Sequence, residues 1–537
     1  MVGDLAEAEQ QDAFDDHDRL GFDELCLSGS CVGGEVVHRD LDIVSGLKGG
    51  DVSGESFVVE RVRVVVVDIG SFSQRTMGLV SVVRVEGEDR NGVRPKLCHQ
   101  EAAERRLACA RAATDPTGPC HGGEWYQSNR FWPQSGDACQ VTSVSARQPS
   151  NRSAIDPFYV MEVVQAAEER ELGGDEVLHL EVGQPSTPAP AEVVAAAHRA
   201  LDDHVLGYTT ASGTPALRAR IAAHYRDWYD VAVDPDAVML TVGASGAFVS
   251  AFLAAFDHGD RVVVPSPGYP CYRNALDALG CEVVDLPTSI GTRFQPTPDL
   301  LDELVAQSGP VRGLVLSSPS NPTGTVLDAA ALAEVTAWCR RNRVWFISDE
   351  IYHGLTYGPP ASTALASDPD AIVINSFSKY FSMTGWRLGW VIAPPVLRDS
   401  LTRLGQNLTI SAPTLSQLGA IAAFDAHDEC QRHLRRYALN RQIVLDGLAA
   451  AGFTELAPAD GAFYVWASID DLIAAGRTAD SRHLCATWLD ELGVATTPGV
   501  DFDPNFGDRF VRFSFSGDTD DCRAAMTRIG RWVNDAD

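Results

Sequence analysis

From about residue 152 onward, the apolar residues follow two different periods along the chain. Short runs rich in Val, Ile and Leu predict β-strands, and longer stretches with apolar residues three or four apart predict α-helices. The predicted helices are 215–229, 245–256, 328–342, 414–424 and 431–451. The predicted strands are 177–182, 261–265, 314–318, 344–348 and 371–376. Because these strands alternate with helices, the pattern predicts an α/β fold with a mainly parallel sheet and helices on both faces.

The pattern changes near residue 395, after which helices dominate. Short strands predicted at 453–457, 462–467 and 509–515 are typical of a smaller α+β domain. We therefore expect four segments: an extension (1–150), an N-terminal arm with a small-domain segment (151–190), a large domain (191–395) and a C-terminal small domain (396–537).

Residues 1–150 differ from the rest of the chain in their pattern. They contain one strong strand prediction, Val58 to Ile69, and little helical periodicity. Three interpretations stay open: a poorly ordered extension, a small accessory domain, or translated sequence upstream of the true start. The lack of a periodic apolar pattern favours the first or the third.

Composition and charge exclude several function classes. A formal net charge of −30 argues against nucleic acid or an anionic membrane as a partner, because both require a basic surface. No apolar run approaches the roughly 20 residues of a membrane span, and the first residues lack the features of a signal peptide. The 12 cysteines form no Cys-x-x-Cys pair and no zinc-type cluster, so we expect no metal site and a cytoplasmic location.

Lysine is almost absent from this protein. Only Lys48, Lys96 and Lys379 occur among 43 basic Lys and Arg residues, so Lys379 is the single lysine of the last 441 residues. Arginine stays protonated, whereas a lysine amine can lose its proton and form a Schiff base. The retention of Lys379 in Ser376-Phe377-Ser378-Lys379 therefore indicates a chemical role for its amine.

Several other polar residues follow directly after predicted strands. Pro319-Ser320-Asn321-Pro322 follows one strand, Asp349-Glu350-Ile351-Tyr352 follows the next, and the Lys379 segment follows a third. Open α/β sheets bind their ligands at the carboxyl ends of the strands. We therefore expect an amide, a carboxylate, a phenol and an amine to lie together at one edge of the sheet.

These motifs, taken in order from about residue 152 to 537, resemble the class I aminotransferases of the aspartate aminotransferase family. The resemblance implies the fold-type I architecture, in which residues 191–395 form the domain that binds pyridoxal 5'-phosphate. It implies an enzyme, a transaminase, that moves an amino group from an L-amino acid to a 2-oxo acid by a ping-pong mechanism.

The resemblance also implies which residues carry the chemistry. Lys379 would form the Schiff base with the cofactor, and Asp349 would pair with the protonated pyridine nitrogen. Tyr352 and Asn321 would hydrogen-bond the 3-hydroxyl of the ring, and Tyr269 would stack on the ring face. The catalytic residues implied in this way are Lys379, Asp349 and Tyr352.

Further residues match the family at the cofactor phosphate and at the substrate. The predicted phosphate ligands are Arg387, Ser376, Ser378 and the helix start Gly243, Ala244 and Ser245. Tyr208 matches a tyrosine that reaches the phosphate of the partner subunit, which implies a homodimer. Arg512 would bind the substrate α-carboxylate, with Gly183 and Asn321 in the same pocket.

Substrate choice is less well defined by the sequence. One aspartate-selective subgroup carries a lysine near the phosphate loop, where this chain has Ser245. We therefore expect a broad pocket for apolar, aromatic or alanine-like amino acids, with 2-oxoglutarate as the acceptor. The alternatives are a β-lyase or related α-carbon chemistry on the same fold, and an aminotransferase-like transcription regulator, which the acidic first 150 residues disfavour.

Overall fold

The structure, a computed structural model, describes residues 149–535 and five short strands upstream of them. The chain divides into two compact units, Met1–Gln140 and Val141–Asp537. The strands of the first unit are β1 (Arg39–Ile43), β2 (Leu47–Gly50), β3 (Ser56–Val59), β4 (Val62–Val66) and β5 (Val82–Val85). They form an antiparallel sheet in the order β1-β4-β5 and a β2-β3 hairpin.

The predicted strand from Val58 to Ile69 therefore overlaps two strands, β3 and β4. Most of residues 1–150 lie outside the described part of the chain. The three interpretations of this segment accordingly stay predictions.

The second unit is built around a seven-stranded sheet. Its strands are β7 (Val238–Val242), β8 (Arg261–Ser266), β9 (Glu282–Pro287), β10 (Gly313–Ser317), β11 (Trp345–Asp349), β12 (Ile372–Ser376) and β13 (Leu388–Ile392). Their order in the sheet is β7-β13-β12-β11-β10-β8-β9. β13 pairs antiparallel with both of its neighbours, and the other six strands all run in the same direction. The predicted α/β fold with a mainly parallel sheet is confirmed.

Both faces of this sheet are covered, which explains the continuous apolar runs in its strands. In β10, Leu314 and Leu316 pack into the hydrophobic core on one face, whereas Val315 between them packs into the core on the other. Neighbouring residues of a strand point to opposite faces, so a strand with both faces buried must be apolar at nearly every position. All five residues of β10 are buried.

Thirteen α-helices lie between residues 149 and 535. They are α1 (Tyr159–Leu172), α2 (Ala191–Asp203), α3 (Pro215–Tyr229), α4 (Gly243–Ala255), α5 (Pro270–Leu279), α6 (Pro298–Ser308), α7 (Ala329–Asn342), α8 (Pro395–Leu408), α9 (Thr414–Ala420), α10 (His427–Ala450), α11 (Asp470–Ala474), α12 (Ser481–Leu492) and α13 (Thr519–Asn534). None of these helices is both long and apolar enough to cross a membrane.

Several of these helices begin at residues that favour a helix start. Proline is the first residue of α3, α5, α6 and α8, where its missing N–H costs no helical hydrogen bond. The side chain of Asp328 accepts a hydrogen bond from the amide of Ala331 and so caps α7.

A second sheet in the order β14-β17-β16 lies in the C-terminal part of the chain, where strands were predicted near β14 and β17 but not at β16. It contains β14 (Tyr464–Ser468), β16 (Thr497–Pro498) and β17 (Phe510–Ser514), all paired antiparallel. The short strands β6 (Leu178–His179) and β15 (Val494–Ala495) pair parallel to each other.

Some predicted elements differ from the structure. The predicted strand 177–182 is reduced to the two residues of β6. The predicted strand 453–457 does not form, and only Leu456 makes an isolated bridge, to Ala467. The predicted helix 414–424 ends at Ala420 and continues as a 3₁₀ turn from Ile421 to Asp425.

Candidate active site

The carboxyl ends of the parallel strands and the second sheet enclose a cavity of about 290 Å³. β11 ends at Asp349, and β12 ends three residues before Lys379. Arg512 enters the cavity from β17. Of the predicted site residues, those that line the cavity are Gly183, Ala244, Ser245, Tyr269, Asn321, Asp349, Tyr352, Ser378, Lys379, Arg387 and Arg512.

Gly243, Ser376 and Tyr208 do not line the cavity. Gly243 is the first residue of α4, and Ser376 is buried at the end of β12. Tyr208 lies in the connection between α2 and α3, where its side chain is 82% exposed.

Lys379 lines the cavity, where its Nζ donates a hydrogen bond of 2.6 Å to the carbonyl oxygen of Gly183. Burial lowers the pKa of Lys379 to about 8, and the positive charges of Arg512 and Arg387 act in the same direction. Asp349 opposes this shift. The amine is therefore closer to losing its proton near neutral pH than an exposed lysine would be.

Asp349 is a buried carboxylate held by two hydrogen bonds. Its Oδ1 accepts from the amide of Ile351 at 3.1 Å, and its Oδ2 accepts from the hydroxyl of Tyr272. Burial raises the pKa of Asp349 to about 6, while these two hydrogen bonds and Lys379 lower it. No Lys, Arg or His of the described residues makes a salt bridge with this carboxylate, so it can accept a cation from a ligand.

Arg512 is a buried cation that is 2% exposed. Its Nη1 donates to Oδ1 of Asn321 at 3.0 Å, and its Nη2 donates to Oγ1 of Thr497 at 3.1 Å and to the carbonyl oxygen of Glu181. Its Nε is buried and has no partner within the described residues. Since no described carboxylate pairs with Arg512, the guanidinium can bind an anionic group in the cavity.

Two aromatic rings hold the guanidinium of Arg512. Its central carbon lies 4.6 Å from the ring centroid of Tyr464 and 4.5 Å from that of Phe502. These cation–π contacts and the hydrogen bonds to neutral oxygens fix the position of the guanidinium without neutralising its charge.

Arg387 and the start of α4 form an anion-binding corner of the cavity. Gly243 has a φ of 66°, and a Cβ at this position would lie 2.6 Å from Nη2 of Arg387. Glycine is therefore required there for the guanidinium to approach the first turn of the helix. Arg387 makes no salt bridge within the described residues, and the N-terminal amides of α4 favour an anion at the same place.

Ser376 and Ser378, the two serines near this corner, are hydrogen-bonded to each other. Oγ of Ser376 donates to the carbonyl oxygen of Leu388 at 2.9 Å, and it lies 2.8 Å from Oγ of Ser378. Because the proton of Ser376 is used on a carbonyl, the hydroxyl of Ser378 donates to Ser376. Only Ser378 of this pair lines the cavity.

Several residues that line the cavity were not predicted from the sequence. Phe158, Val160 and Met161 come from the start of α1, and Tyr464 comes from β14. The carboxylate of Asp501 accepts from the amides of Tyr159 and Val160 at 3.1 and 3.2 Å and so fixes the first turn of α1 at the cavity. For Tyr272, its spacing of three residues from Tyr269 was an available signal, since both lie on one face of a helix start.

The residues of the cavity fit pyridoxal 5'-phosphate. Arg387, the space above Gly243 and the amides of α4 suit a phosphate. Asp349 is a buried carboxylate without a cationic partner among the described residues, which suits a protonated pyridine nitrogen. The charges of Arg387 and Asp349 both act on Lys379, and its lowered pKa suits covalent attachment to a carbonyl carbon.

Comparisons with known proteins agree with this fit. The family "Aminotransferase class I and II" matches residues 175–529. The chain is 50% identical over 386 residues to a valine–pyruvate aminotransferase of Mycobacterium tuberculosis, covering 71% of this chain and 97% of that protein. It is 32% identical over 384 residues to a (5-formylfuran-3-yl)methyl phosphate transaminase of Methanocaldococcus jannaschii, covering 71% and 97%.

Solved structures give the same result. An aminotransferase from Mycobacterium tuberculosis has 49% identity and a TM-score of 0.70, covering 72% of this chain and 100% of that one. The aspartate aminotransferase of Thermus thermophilus with maleate has 28% identity and a TM-score of 0.67, covering 72% and 99%. The chain thus belongs to the class I and II aminotransferases and is a fold-type I, pyridoxal-phosphate-dependent transaminase, as its sequence motifs predicted.

Proposed function

We propose that this enzyme transfers the amino group of an apolar L-amino acid such as valine to pyruvate. The observation that carries the proposal is the apolar part of the lining of the cavity. The side chains there include Phe158, Val160, Met161, Val182 and Ile351. These apolar groups suit a branched aliphatic side chain on the donor and a methyl group on the acceptor.

The same lining argues against a second carboxylate on the substrate. Among the described residues that line the cavity, the only cations are Lys379, Arg387 and Arg512. Each already has a proposed task, so none is left for the side chain of aspartate or the distal carboxylate of 2-oxoglutarate. The relative with 50% identity is named for valine and pyruvate, which supports the same substrates here. The sequence-based expectation of 2-oxoglutarate stays a prediction that the same assay tests.

When bound, pyridoxal phosphate supplies an electron sink for the charge that develops at the donor α-carbon. In our proposal the Nζ of Lys379, once free, removes the proton from that carbon. Its lowered pKa suits this task, because the unprotonated amine is then available near neutral pH. The carbonyl of Gly183, which accepts from Nζ at 2.6 Å, orients the amine.

The other residues bind and orient. Arg387 and the first turn of α4 would hold the cofactor phosphate, joined by Ser378 once its hydroxyl turns from Ser376 to the phosphate, and Asp349 would hold the pyridine nitrogen. Tyr352 and Asn321 would hydrogen-bond the ring hydroxyl, since the amide nitrogen of Asn321 has no partner among the described residues. Tyr269 would cover one face of the ring. Ser376 would act on the phosphate only by holding Ser378, whose amide donates to Oγ of Ser376 at 3.1 Å.

A substrate panel tests this proposal. We expect valine with pyruvate to give a kcat/KM at least about tenfold above that for aspartate or for 2-oxoglutarate, because a desolvated, unpaired carboxylate is costly. The assay combines each amino acid with each 2-oxo acid and detects the new 2-oxo acid. A preference for aspartate, or for 2-oxoglutarate over pyruvate, would overturn the proposed specificity.

A variant of Arg512 tests how the α-carboxylate is bound. We expect Arg512→Lys to lower kcat/KM for valine and for pyruvate roughly 10- to 100-fold, because lysine cannot form the bidentate fork. Arg509→Lys is the matched control: Arg509 lies three residues away, is exposed and pairs with Asp470. Equal effects of the two substitutions would show that Arg512 does not bind the substrate.

We further propose a homodimer in which Tyr208 reaches the phosphate site of the partner subunit. The exposed apolar side chains of Leu201, Val205, Leu408 and Ile410 support this. The hydroxyl of Thr414 donates to the carbonyl of Gly207 at 2.6 Å and thereby joins the Tyr208 connection to the start of α9. Val205 and Leu201 lie three and seven residues before Tyr208 in the chain, so an interface formed around Tyr208 would cover exposed apolar side chains.

Light scattering at assay concentration tests the dimer. We expect a mass of twice the monomer or a multiple of that, and we expect Tyr208→Phe to weaken cofactor binding by roughly 1.5–3 kcal/mol, the value of one hydrogen bond to a charged group. A monomer with full activity would remove Tyr208 from the active site.

A further inference from the structure

Tyr464 is a buried residue of the cavity to which the proposed function gives no task. It begins β14, is 1% exposed and contacts three groups of the cavity. Its hydroxyl lies 2.7 Å from the hydroxyl of Tyr352, and its ring lies against the guanidinium of Arg512. A ring alone would satisfy the contact with Arg512, so the hydroxyl requires its own explanation.

The tyrosine pair has more hydroxyl protons than its own hydrogen bond requires. Tyr352 and Tyr464 carry one hydroxyl proton each, and their mutual hydrogen bond uses one of the two. Within residues 149–535, neither hydroxyl has a second hydrogen-bond partner. One proton is therefore left over, and both residues line the cavity. The leftover proton is available to an acceptor on a bound ligand.

The direction of this hydrogen bond decides which of the two hydroxyl protons is free for the ligand. If Tyr464 donates to Tyr352, the proton of Tyr352 is free to point at the ligand. Burial raises the pKa of both phenols, so both keep their protons at neutral pH. A hydroxyl that accepts a hydrogen bond becomes a stronger donor, because hydrogen bonds in a chain polarise one another.

Tyr464 also lies against the backbone of Gly183, which contacts Lys379. A Cβ on Gly183 would lie 1.9 Å from the hydroxyl oxygen of Tyr464, so this hydroxyl occupies the space that any other residue at 183 would need. The carbonyl of the same Gly183 accepts from Nζ of Lys379. Tyr464 therefore packs directly against the backbone that orients the reactive amine.

We propose that Tyr464 is a positioning residue: its hydroxyl directs the proton of Tyr352 to the ring oxygen of the cofactor. This inference rests on the proposed role of Tyr352. It assigns a function to a tyrosine whose ring alone would suffice for packing.

The test is the pH titration of the visible absorbance of the enzyme with its cofactor bound. Tyr352 stabilises the anionic ring oxygen, so Tyr352→Phe is expected to raise the midpoint by about one to two pH units. Tyr464→Phe removes only the polarising hydroxyl, and we expect a rise of a few tenths of a unit. In the double variant the midpoint is expected to equal that of Tyr352→Phe, because Tyr464 acts through Tyr352.

Tyr357→Phe is the matched control. Tyr357 is a half-buried tyrosine outside the cavity whose hydroxyl donates to the carbonyl of Ala462 at 2.6 Å, two residues before Tyr464. Its loss removes one hydrogen bond from the same region, and we expect the midpoint to stay at the wild-type value. A shift of the midpoint in this control as large as that in Tyr464→Phe would mean that the shift comes from disturbed packing and not from the hydroxyl of Tyr464. That result would overturn the inference.

The outcomes separate the inference from the proposed function. A shift in Tyr352→Phe with none in Tyr464→Phe overturns the inference and leaves the role of Tyr352 intact. No shift in either variant rejects both assignments. Additive shifts in the double variant would mean that Tyr464 acts independently of Tyr352, which also overturns the inference. If Tyr464→Phe fails to fold, Gly183→Ala displaces the same hydroxyl, and the absence of any rise in its midpoint is then the contradicting result.

Discussion

Replacing Lys379 with alanine is expected to lower the rate of transamination by at least about 10²–10⁴-fold, the contribution of general acid–base catalysis alone. Lys379 is the only lysine in the last 441 residues, so no neighbouring amine can replace it. The loss of the covalent link to the cofactor adds to this effect.

Lys379→Arg is the matched variant for this prediction. Arginine keeps the positive charge but cannot lose its proton, so we expect it to be as inactive as the alanine variant. The assay measures the new 2-oxo acid from valine and pyruvate, with the melting temperature as the control for folding. A rate within tenfold of wild type for either variant would contradict the role of Lys379.

The second large effect is expected for Asp349→Asn. The buried carboxylate would face a cation on the pyridine ring, and breaking a buried ion pair is worth about 3–5 kcal/mol. We therefore expect kcat to fall by about 10²–10⁴-fold. Asparagine has the same shape and can still accept from the amide of Ile351, so the melting temperature should change little.

Glu350→Gln is the control for this substitution. Glu350 is the next residue, is fully buried and is bonded to Thr363 and the amide of Ala364, away from the cavity. Burial raises the pKa of Glu350 to about 8, which favours the neutral form that glutamine resembles. We expect nearly unchanged kcat. Similar losses in both variants would mean that Asp349 acts through folding and not through the ring.

The sequence predicted the parts of the fold that depend on local pattern. The helix predicted at 215–229 has those bounds, and the buried strands of the sheet were recognisable as continuous apolar runs. The antiparallel direction of β13 was not predicted. About eleven residues separate β12 from β13, which is too short for a parallel crossover, so this information was present in the spacing.

The candidate site also contains residues that the sequence predicts and residues that it does not. Asp349 is the last residue of β11 and Lys379 follows β12, so their meeting at one edge follows from topology. Tyr464 and Phe158 lie on segments far away in the chain, and their contact with the cavity depends on tertiary packing. The hydrogen bond of Ser376 to Leu388 depends on the pairing of β12 with β13, which no local motif encodes.

The central claim is that the amine of Lys379 carries the cofactor in this cavity. Reduction with borohydride fixes pyridoxal phosphate to the amine with which it is bonded, and mass spectrometry of the peptides then identifies the residue. We expect a single modified peptide, the one that contains Lys379. Modification of Lys48 or Lys96 instead, or a cofactor-bound enzyme that yields no modified lysine, would contradict the account.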